Sequence, residues 1–170
     1  FVFYQEATQY WIKATVGLPY YAKDGKIGRP AHGRFLFCND LSTCQAIMAL
    51  MNSSLFYAYF ITYGDCFHLS NTLVTTFPVP DNLIKNSLLA TLGSVLDKDL
   101  RGNAERQTIT TNDGYEISYD EFSVGRSKPI IDEIDNILAK HYGFTDEELD
   151  FIINYDIKYR MGQNSQENDE

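Results

Sequence analysis

The chain has 170 residues, of which 44% are hydrophobic and 22% are charged, and this composition excludes an intrinsically disordered or collagen-like protein. Its formal net charge is −9, so the chain as a uniform body is poorly suited to nucleic acid, because affinity for phosphates comes from cations that release counterions. No apolar run approaches the roughly 20 residues that a membrane-spanning helix needs, so we expect a soluble protein with no membrane partner.

The N-terminal residues predict β-structure. Residues 3–16 are rich in Tyr, Thr, Val and Ile and place alternate side chains on two faces, as a strand does. Glycines and prolines then mark turns between residues 17 and 30, among them the pair Asp24-Gly25. A second short strand is predicted over residues 34–38.

Residues 41–63 predict a helix, because their apolar side chains recur at helical spacing. Asp40 or Ser42 can cap the N-terminal end of this helix with a side-chain oxygen. The polar cluster Asn52-Ser53-Ser54 interrupts the apolar pattern and can divide the segment into two helices.

The middle of the chain predicts a loop, a helix and a hairpin. Residues 64–80 predict a loop, since the two prolines of residues 77–80 hold the backbone extended. The leucine spacing over residues 82–100 predicts an amphipathic helix. Residues 107–119 alternate around Asp113-Gly114, a pair suited to the positive φ angles of a tight hairpin turn.

Two further helices are predicted near the C-terminus. The first has Pro129 in its opening turn, Gly143 as its C-terminal stop and an apolar stripe made of Ile130, Ile134, Ile137 and Leu138. The second opens with Thr145-Asp146-Glu147-Glu148, a capping box in which the Thr and Glu side chains satisfy each other's backbone amides. The short connection predicts that the two helices pack as an antiparallel or angled pair.

Together these elements predict an α+β fold with an N-terminal β segment packed on helices, one β-hairpin and a C-terminal helical pair. We expect an α+β domain over residues 1–126, the helical pair over residues 127–161 and a disordered tail over residues 162–170, which are too polar to form a core. Because the chain begins with Phe1 rather than Met, we also expect it to be a piece of a longer polypeptide.

The cysteines indicate a reducing, cytoplasmic location, because three of them cannot all pair and no signal peptide precedes them. With one histidine they supply the atoms of a zinc site, made of Cys38, Cys44, Cys66 and His68. Structural zinc sites have closely spaced ligand pairs, whereas these gaps are irregular, so isolated buried thiols are the better interpretation and no metal is expected.

A small cysteine hydrolase is a remote alternative. It would use Cys66 as the nucleophile, His68 or His32 as the base and Asp65 to orient that base. Paired carboxylates such as Asp132 with Asp135, or Glu147 with Glu148, are better explained as solvated groups that favour helix N-termini. No strand is followed by a glycine-rich phosphate-binding turn, so we expect no catalytic site in this chain.

Positive charge is concentrated near the N-terminus. Residues 1–40 carry five Lys and Arg against three Asp and Glu, whereas residues 128–170 carry four against eleven. The N-terminal cations alternate with glycines and aromatic residues and comprise Lys13, Lys23, Lys26, Arg29, His32 and Arg34. Such groups can neutralise phosphates or contact guanine, although a solvated turn with ordinary surface charges would have the same composition.

One longer motif resembles a known family. The stretch ALMNSSLFYAYFITYGDCFHLSNTLVTTFPVP is similar to a signature in the C-terminal specificity region of TaqI-like adenine-specific DNA methyltransferases and of fused type IIG restriction–modification enzymes. The match comprises Leu50, Asn52, Ser53, Phe56, Tyr59, Phe60, Gly64, Asp65, Phe67, His68, Phe77, Pro78 and Pro80. The run IDEIDNILAKHYGFTDEELDFIINYDIKYRMG also resembles the closing segment of such polypeptides, and together the two cover residues 46–80 and 130–162.

The resemblance implies a bacterial target-recognition region that binds double-stranded DNA. Enzymes of this family transfer a methyl group from S-adenosylmethionine to adenine, and some also cleave DNA with Mg²⁺. Their Asn-Pro-Pro-Tyr motif and glycine-rich cofactor loop are missing from this sequence, which implies that catalysis belongs to upstream domains. The predicted DNA contacts are Lys23, Lys26, Arg29 and Arg34, with His32 and His68 as further candidates. A protein-interaction module with an exposed aromatic face remains the alternative.

Overall fold

The computed structural model describes residues 1–8 and 10–161, and within them the α+β class is confirmed. The strands are β1 (Val2–Gln5), β2 (Ala14–Val16), β3 (Tyr21–Lys23), β4 (Lys26–Ile27), β5 (Gly33–Leu36), β6 (Glu105–Thr110) and β7 (Glu116–Glu121). The helices are α1 (Leu41–Met51), α2 (Ser54–Tyr63), α3 (Asn71–Thr76), α4 (Asp81–Ile84), α5 (Ser87–Gly102), α6 (Lys128–Tyr142), α7 (Asp146–Asn154) and α8 (Ile157–Met161), and a 3-10 turn (Val124–Ser127) precedes α6. The predicted tail at residues 162–170 lies outside the described residues.

The strands form two antiparallel sheets, with the orders β2-β1-β5 and β4-β3-β7-β6. The prediction of one continuous strand over residues 3–16 is wrong, because the chain leaves the sheet after β1 and returns at β2. The intervening loop buries Trp11 and Ile12 at consecutive positions. A strand sends consecutive side chains to opposite faces, so a single strand could not bury both on one side.

The predicted hairpin is confirmed as β6 and β7. Its turn differs in detail, because Gly114 has a φ of 82° whereas Asp113 does not adopt a positive φ. The Thr111 carbonyl accepts from the Gly114 amide and the Thr111 amide donates to the Tyr115 carbonyl, which gives a three-residue loop that needs one left-handed residue.

The division of residues 41–63 into two helices is also confirmed. Asp40 caps α1 by accepting from the Thr43 amide at 2.8 Å, and Ser53 caps α2 by accepting from the Phe56 amide at 3.0 Å. Among the described residues, no single helix is long and apolar enough to cross a membrane. Helices α1 and α2 pass that test only when taken together, and they meet at a bend of 63°.

Residues 64–102 contain more breaks than predicted. The expected loop includes the short helix α3, and the expected helix over residues 82–100 is divided into α4 and α5. Asn86 causes this second break, because its side-chain oxygen accepts from the amides of Leu88 and Leu89 and begins a new helix.

The C-terminal helices confirm both predicted boundary signals. Gly143 ends α6 with a φ of 74°, and Thr145 and Glu148 form the capping box of α7. The predicted apolar stripe is partly wrong, because Ile131 and Asp135 are buried while Ile130 and Ile137 are only half-buried. Helix α6 packs on α1, α2 and α5, so its buried face contributes to the same hydrophobic cluster as those helices.

The interpretation of Asp132 and Asp135 as a solvated pair is wrong for Asp135. Its Oδ1 accepts from the Ser54 amide at 2.9 Å, beneath the N-terminus of α2. The guanidinium of Arg160 is buried at the same place, where Nη2 donates to Ser54 Oγ at 2.7 Å. Asp132 stays near the surface and pairs with Lys128 at 2.6 Å.

Helices α1 and α5 pack closely against each other at Gly93. A Cβ atom at Gly93 would lie 2.0 Å from the Gln45 carbonyl oxygen, which is backbone and cannot rotate away. We expect Gly93→Ala to lower the free energy of unfolding by about 1–3 kcal/mol in urea denaturation. Gly102→Ala on the same helix is the matched control, since nothing lies within 4 Å of a Cβ there. Equal stability of the two variants would contradict the close helix crossing.

Candidate nucleic-acid interface

Four of the predicted DNA contacts line one groove of about 710 Å³. These cationic or titratable residues are Lys23, Arg29, His32 and Arg34, and the aromatic side chains beside them are Tyr21, Phe35 and Phe37. None of the described residues that line the groove is acidic. We call this surface the basic groove. It provides concentrated positive charge in a chain that is acidic overall.

The β3–β4 hairpin forms one wall of the basic groove. Asp24 and Gly25 form its turn with φ angles of 49° and 73°, the conformation that an Asp-Gly pair favours. This turn places Lys23 directly opposite Lys26 in the strand pairing. Like charges at directly opposed positions destabilise a hairpin, so the arrangement costs stability and concentrates charge. Asp24 also accepts from the Glu116 amide at 2.9 Å, which ties the hairpin to β7.

The loop between β4 and β5 forms the second wall. His32 has a φ of 57°, and its carbonyl accepts from the Glu6 amide at 3.1 Å. At Gly33 a Cβ atom would lie 2.2 Å from the Phe3 ring, so only glycine allows the loop to rejoin the sheet there. These two constraints hold Arg29 and His32 at the mouth of the groove, where both side chains are exposed.

The cations in and near the groove differ in whether they already have a partner within the protein. The Lys23 ammonium lies 3.4 Å from the centre of the Tyr115 ring, a cation–π contact that leaves its charge available. Arg29 and Lys26 make no hydrogen bond or ion pair with the described residues. Lys26 is exposed but does not line the groove, and Lys13 lies apart, beside a cavity between the two sheets.

Arg34 is held by Glu6, a residue that the sequence analysis did not identify. The guanidinium donates from Nη2 to Glu6 Oε1 at 2.8 Å and from Nε to Oε2 at 3.1 Å. This two-pronged bond with Arg34 is the main reason that the pKa of Glu6 is lowered, and the charges of His32 and His68 lower it further. Only the antiparallel pairing of β1 with β5 brings Glu6 to Arg34, so no local sequence signal could have predicted the contact.

His68 lies beside the basic groove rather than in it. Its Nδ1 is 2.7 Å from Asp65 Oδ2, and Asp65 Oδ1 accepts from the amides of Phe67 and His68. These bonds, the His68 amide first, lower the pKa of Asp65 to about 2. The Leu69 amide donates to the Glu6 carbonyl at 2.8 Å, which places the His68 loop next to the residue that holds Arg34.

The arrangement around Cys66 differs from that of a cysteine hydrolase. Asp65 and His68 form the expected carboxylate–imidazole pair, but the Cys66 thiol donates to the Ile61 carbonyl at 3.8 Å rather than to His68. In residues 1–8 and 10–161 no group of three His, Cys, Asp or Glu side chains lies close enough to hold a metal ion. Burial, followed by contact with Cys44, raises the pKa of Cys38 to about 12, so this thiol stays protonated.

Six of the thirteen signature residues are buried and stabilise the fold. The Asn52 side chain donates to the carbonyls of Ala14 and Met48, both at 2.9 Å, and joins β2 to the corner between α1 and α2. Ser53 caps α2, and the apolar signature residues Leu50, Phe56, Phe60 and Phe77 are buried. None of the signature residues lines the basic groove.

Comparison with known proteins adds no further resemblance, since no family model, no curated protein and no solved structure matches the chain. The likeness to adenine-specific DNA methyltransferases accordingly depends on the two sequence stretches described above.

Proposed function

We propose that this chain is a DNA target-recognition region that binds double-stranded DNA through the basic groove. The observation that carries the proposal is the convergence of Lys23, Arg29, His32 and Arg34 on one concave surface without an acidic lining residue. The signature motif favours a bacterial adenine-specific methyltransferase or restriction–modification enzyme as the parent polypeptide. Under this proposal S-adenosylmethionine, and Mg²⁺ if the parent cleaves DNA, bind to upstream domains in the cytoplasm.

The acidic net charge does not oppose the proposal. Charges are screened over about 8 Å at physiological ionic strength, so an approaching phosphate responds mainly to local groups. The acidic helix α6 packs on α1, α2, α5 and α7, and α7 packs on α2 and α6, so the main contacts of both are with helices and not with the strands that carry the cations. A phosphate in the basic groove therefore interacts mainly with the cations and only weakly with the acidic helices.

Each cation has a distinct role under the proposal. Arg29 is exposed and unpaired among the described residues, which makes it the best candidate for a two-pronged contact with guanine or phosphate. Lys23 and Lys26 project from one hairpin and suit adjacent phosphates of the DNA backbone. Arg34 keeps free N–H groups while Glu6 holds it, so it suits a fixed phosphate contact.

The proposal is tested by binding of a fluorescent duplex to the 170-residue protein at several salt concentrations. We expect Arg29→Ala to weaken binding and to reduce the slope of log K against log salt by about one unit, because one phosphate contact is lost. Lys98→Ala is the matched control, since Lys98 is an exposed cation on α5, away from the groove. Unchanged slope and affinity in Arg29→Ala would overturn the proposal for this surface.

A protein-interaction module is a second candidate, favoured by an aromatic cluster at the edge of the groove. The rings of Phe1, Phe35 and Phe37 contact one another, with centroids of Phe35 and Phe37 6.4 Å apart. Phe37 is 85% exposed, an unusual position for a large apolar side chain. If this face binds a protein, the wild-type chain will have no salt-dependent affinity for duplex DNA.

A further inference from the structure

A second concavity, separate from the basic groove, opens between α2, α7 and the loop that contains Tyr10. It has a volume of about 520 Å³, within the usual range for small-molecule sites. Its walls are mainly aromatic and include Tyr10, Tyr57, Phe60, Phe67, Phe151 and Tyr155. We call it the aromatic pocket. It shares no lining residue with the basic groove, so DNA binding does not account for it.

Several rings at the mouth of the aromatic pocket are exposed, and some of them contact another aromatic ring. Phe151 and Tyr155 contact at a centroid distance of 5.6 Å, and Tyr10 stacks on Tyr159 at 5.4 Å. Phe67 and Phe151 are more than half exposed. Aromatic ring faces attract an organic cation more than a neutral molecule, so a mouth bordered by exposed rings suits a cation.

One carboxylate lines the aromatic pocket, and it is fixed in place. Asp156 joins α7 to α8 with a φ of 53°, a left-handed conformation that is uncommon for residues other than glycine. Its Oδ2 accepts from the Tyr57 hydroxyl at 3.2 Å. The aromatic walls and this carboxylate therefore face the same space.

The nearest buried cation does not neutralise this carboxylate completely. Arg160 is buried, lies over the Tyr57 ring at 4.7 Å, donates to the Ile153 and Tyr155 carbonyls, and does not line the pocket. It is also shared with Asp135, whose charge acts on the same guanidinium. Asp156 forms no ion pair with a described residue, so its charge is available to a cationic ligand.

From this geometry we propose that the aromatic pocket binds a small organic cation of the quaternary ammonium class. Such a cation has no N–H group to donate and gains most of its affinity from aromatic faces, with a carboxylate providing charge complementarity. A metal ion would need several oxygen ligands, and Asp156 is the one carboxylate among the described lining residues. A neutral apolar ligand would gain nothing from Asp156.

The test compares choline and tetramethylammonium with 3,3-dimethylbutanol, the neutral isostere of choline, by titration calorimetry on the intact chain. We expect both cations to bind at least about tenfold more tightly than the isostere, the effect of one strong cation–π site. Asp156→Asn is expected to weaken cation binding by about tenfold and to leave the isostere unaffected. Asp146→Asn is the matched control, because it removes an exposed charge from α7 that does not line the pocket.

A second measurement needs no substitution in the aromatic pocket. Cys66 lines the pocket and is exposed, whereas Cys44 is buried and Cys38 is half-buried. We expect choline to slow the alkylation of Cys66 by iodoacetamide, located by mass spectrometry, while the isostere leaves the rate unchanged. The proposal is overturned if neither cation binds saturably, or if the isostere binds and protects as well as choline does. DNA binding through the basic groove would be unaffected by that outcome.

Discussion

Replacing Arg160 with Met is expected to lower the free energy of unfolding by about 3–5 kcal/mol, because the buried Asp135 carboxylate would lose the positive charge that offsets its burial. Arg160 is 3% exposed and Asp135 is 1% exposed, and both bond to Ser54 at the start of α2. Without Arg160, the Asp135 carboxylate stays buried with no compensating cation. Urea denaturation at neutral pH measures the loss, and Lys158→Met on the same helix serves as the exposed control.

The double variant Arg160→Met with Asp135→Leu distinguishes charge from packing. If the loss comes from an uncompensated carboxylate, removal of both charged groups restores much of the stability, and the double-mutant cycle gives a large coupling energy. Additive losses in the two single variants would contradict the coupling. Additive losses would mean that the lower stability comes from lost packing around Ser54.

The same cluster makes stability depend on pH. Burial raises the pKa of Asp135 from 3.8 to about 6, although bonds from Ser54 and the charge of Arg160 oppose the shift. The folded state therefore holds this proton more tightly than the unfolded state does. The protonated Asp135 carboxyl therefore stabilises the folded state. This stabilisation is fully present below the pKa of Asp135 in the unfolded chain and is lost as pH rises through its pKa in the folded state. We expect Asp135→Asn to abolish this decline between pH 4 and about 6 in denaturation experiments.

Reversing two charges in the basic groove is expected to lower duplex DNA affinity by about 100-fold at 0.1 M salt. The variant is Lys23→Glu with Arg29→Glu. Each lost phosphate contact forfeits the release of about one counterion, and each new carboxylate adds repulsion. Fluorescence anisotropy with a labelled duplex measures the change.

A matched variant separates local charge from net charge. Lys98→Glu with Lys158→Glu changes the net charge by the same amount at two exposed positions outside the groove. We expect this variant to bind DNA within about twofold of the wild type, because remote charges are screened. An equal loss of affinity in both double variants would mean that overall charge, not the groove, governs binding.

Local signals in the sequence predicted the parts of the fold that depend on neighbouring residues. Asp40, Gly143 and the Thr145–Glu148 capping box act within one helical turn, and the structure confirms all of them. The strand predicted over residues 3–16 was wrong because tertiary burial of Trp11 and Ile12 outweighed the alternation of the sequence. The position of Asp135 was also wrong, since its burial depends on Ser54, which is 81 residues away.

The candidate site was predictable in its residues but not in its geometry. Composition identified Lys23, Arg29, His32 and Arg34, and the structure brings them to one groove. Glu6 reaches Arg34 only through strand pairing across 28 residues. The aromatic pocket depends in the same way on contacts between distant segments, such as the Tyr57–Asp156 bond across 99 residues. A single sequence without a fold does not specify these distances.

Photocrosslinking tests the basic groove most directly as a DNA-binding surface. A benzophenone side chain in place of Phe37 would stand at the edge of the groove, while the same group in place of Phe151 would stand at the aromatic pocket. Both positions are exposed, so the label is accommodated at each. With a duplex bound, we predict crosslinks to DNA from position 37 and none from position 151. Crosslinks from position 151 alone would contradict the central claim.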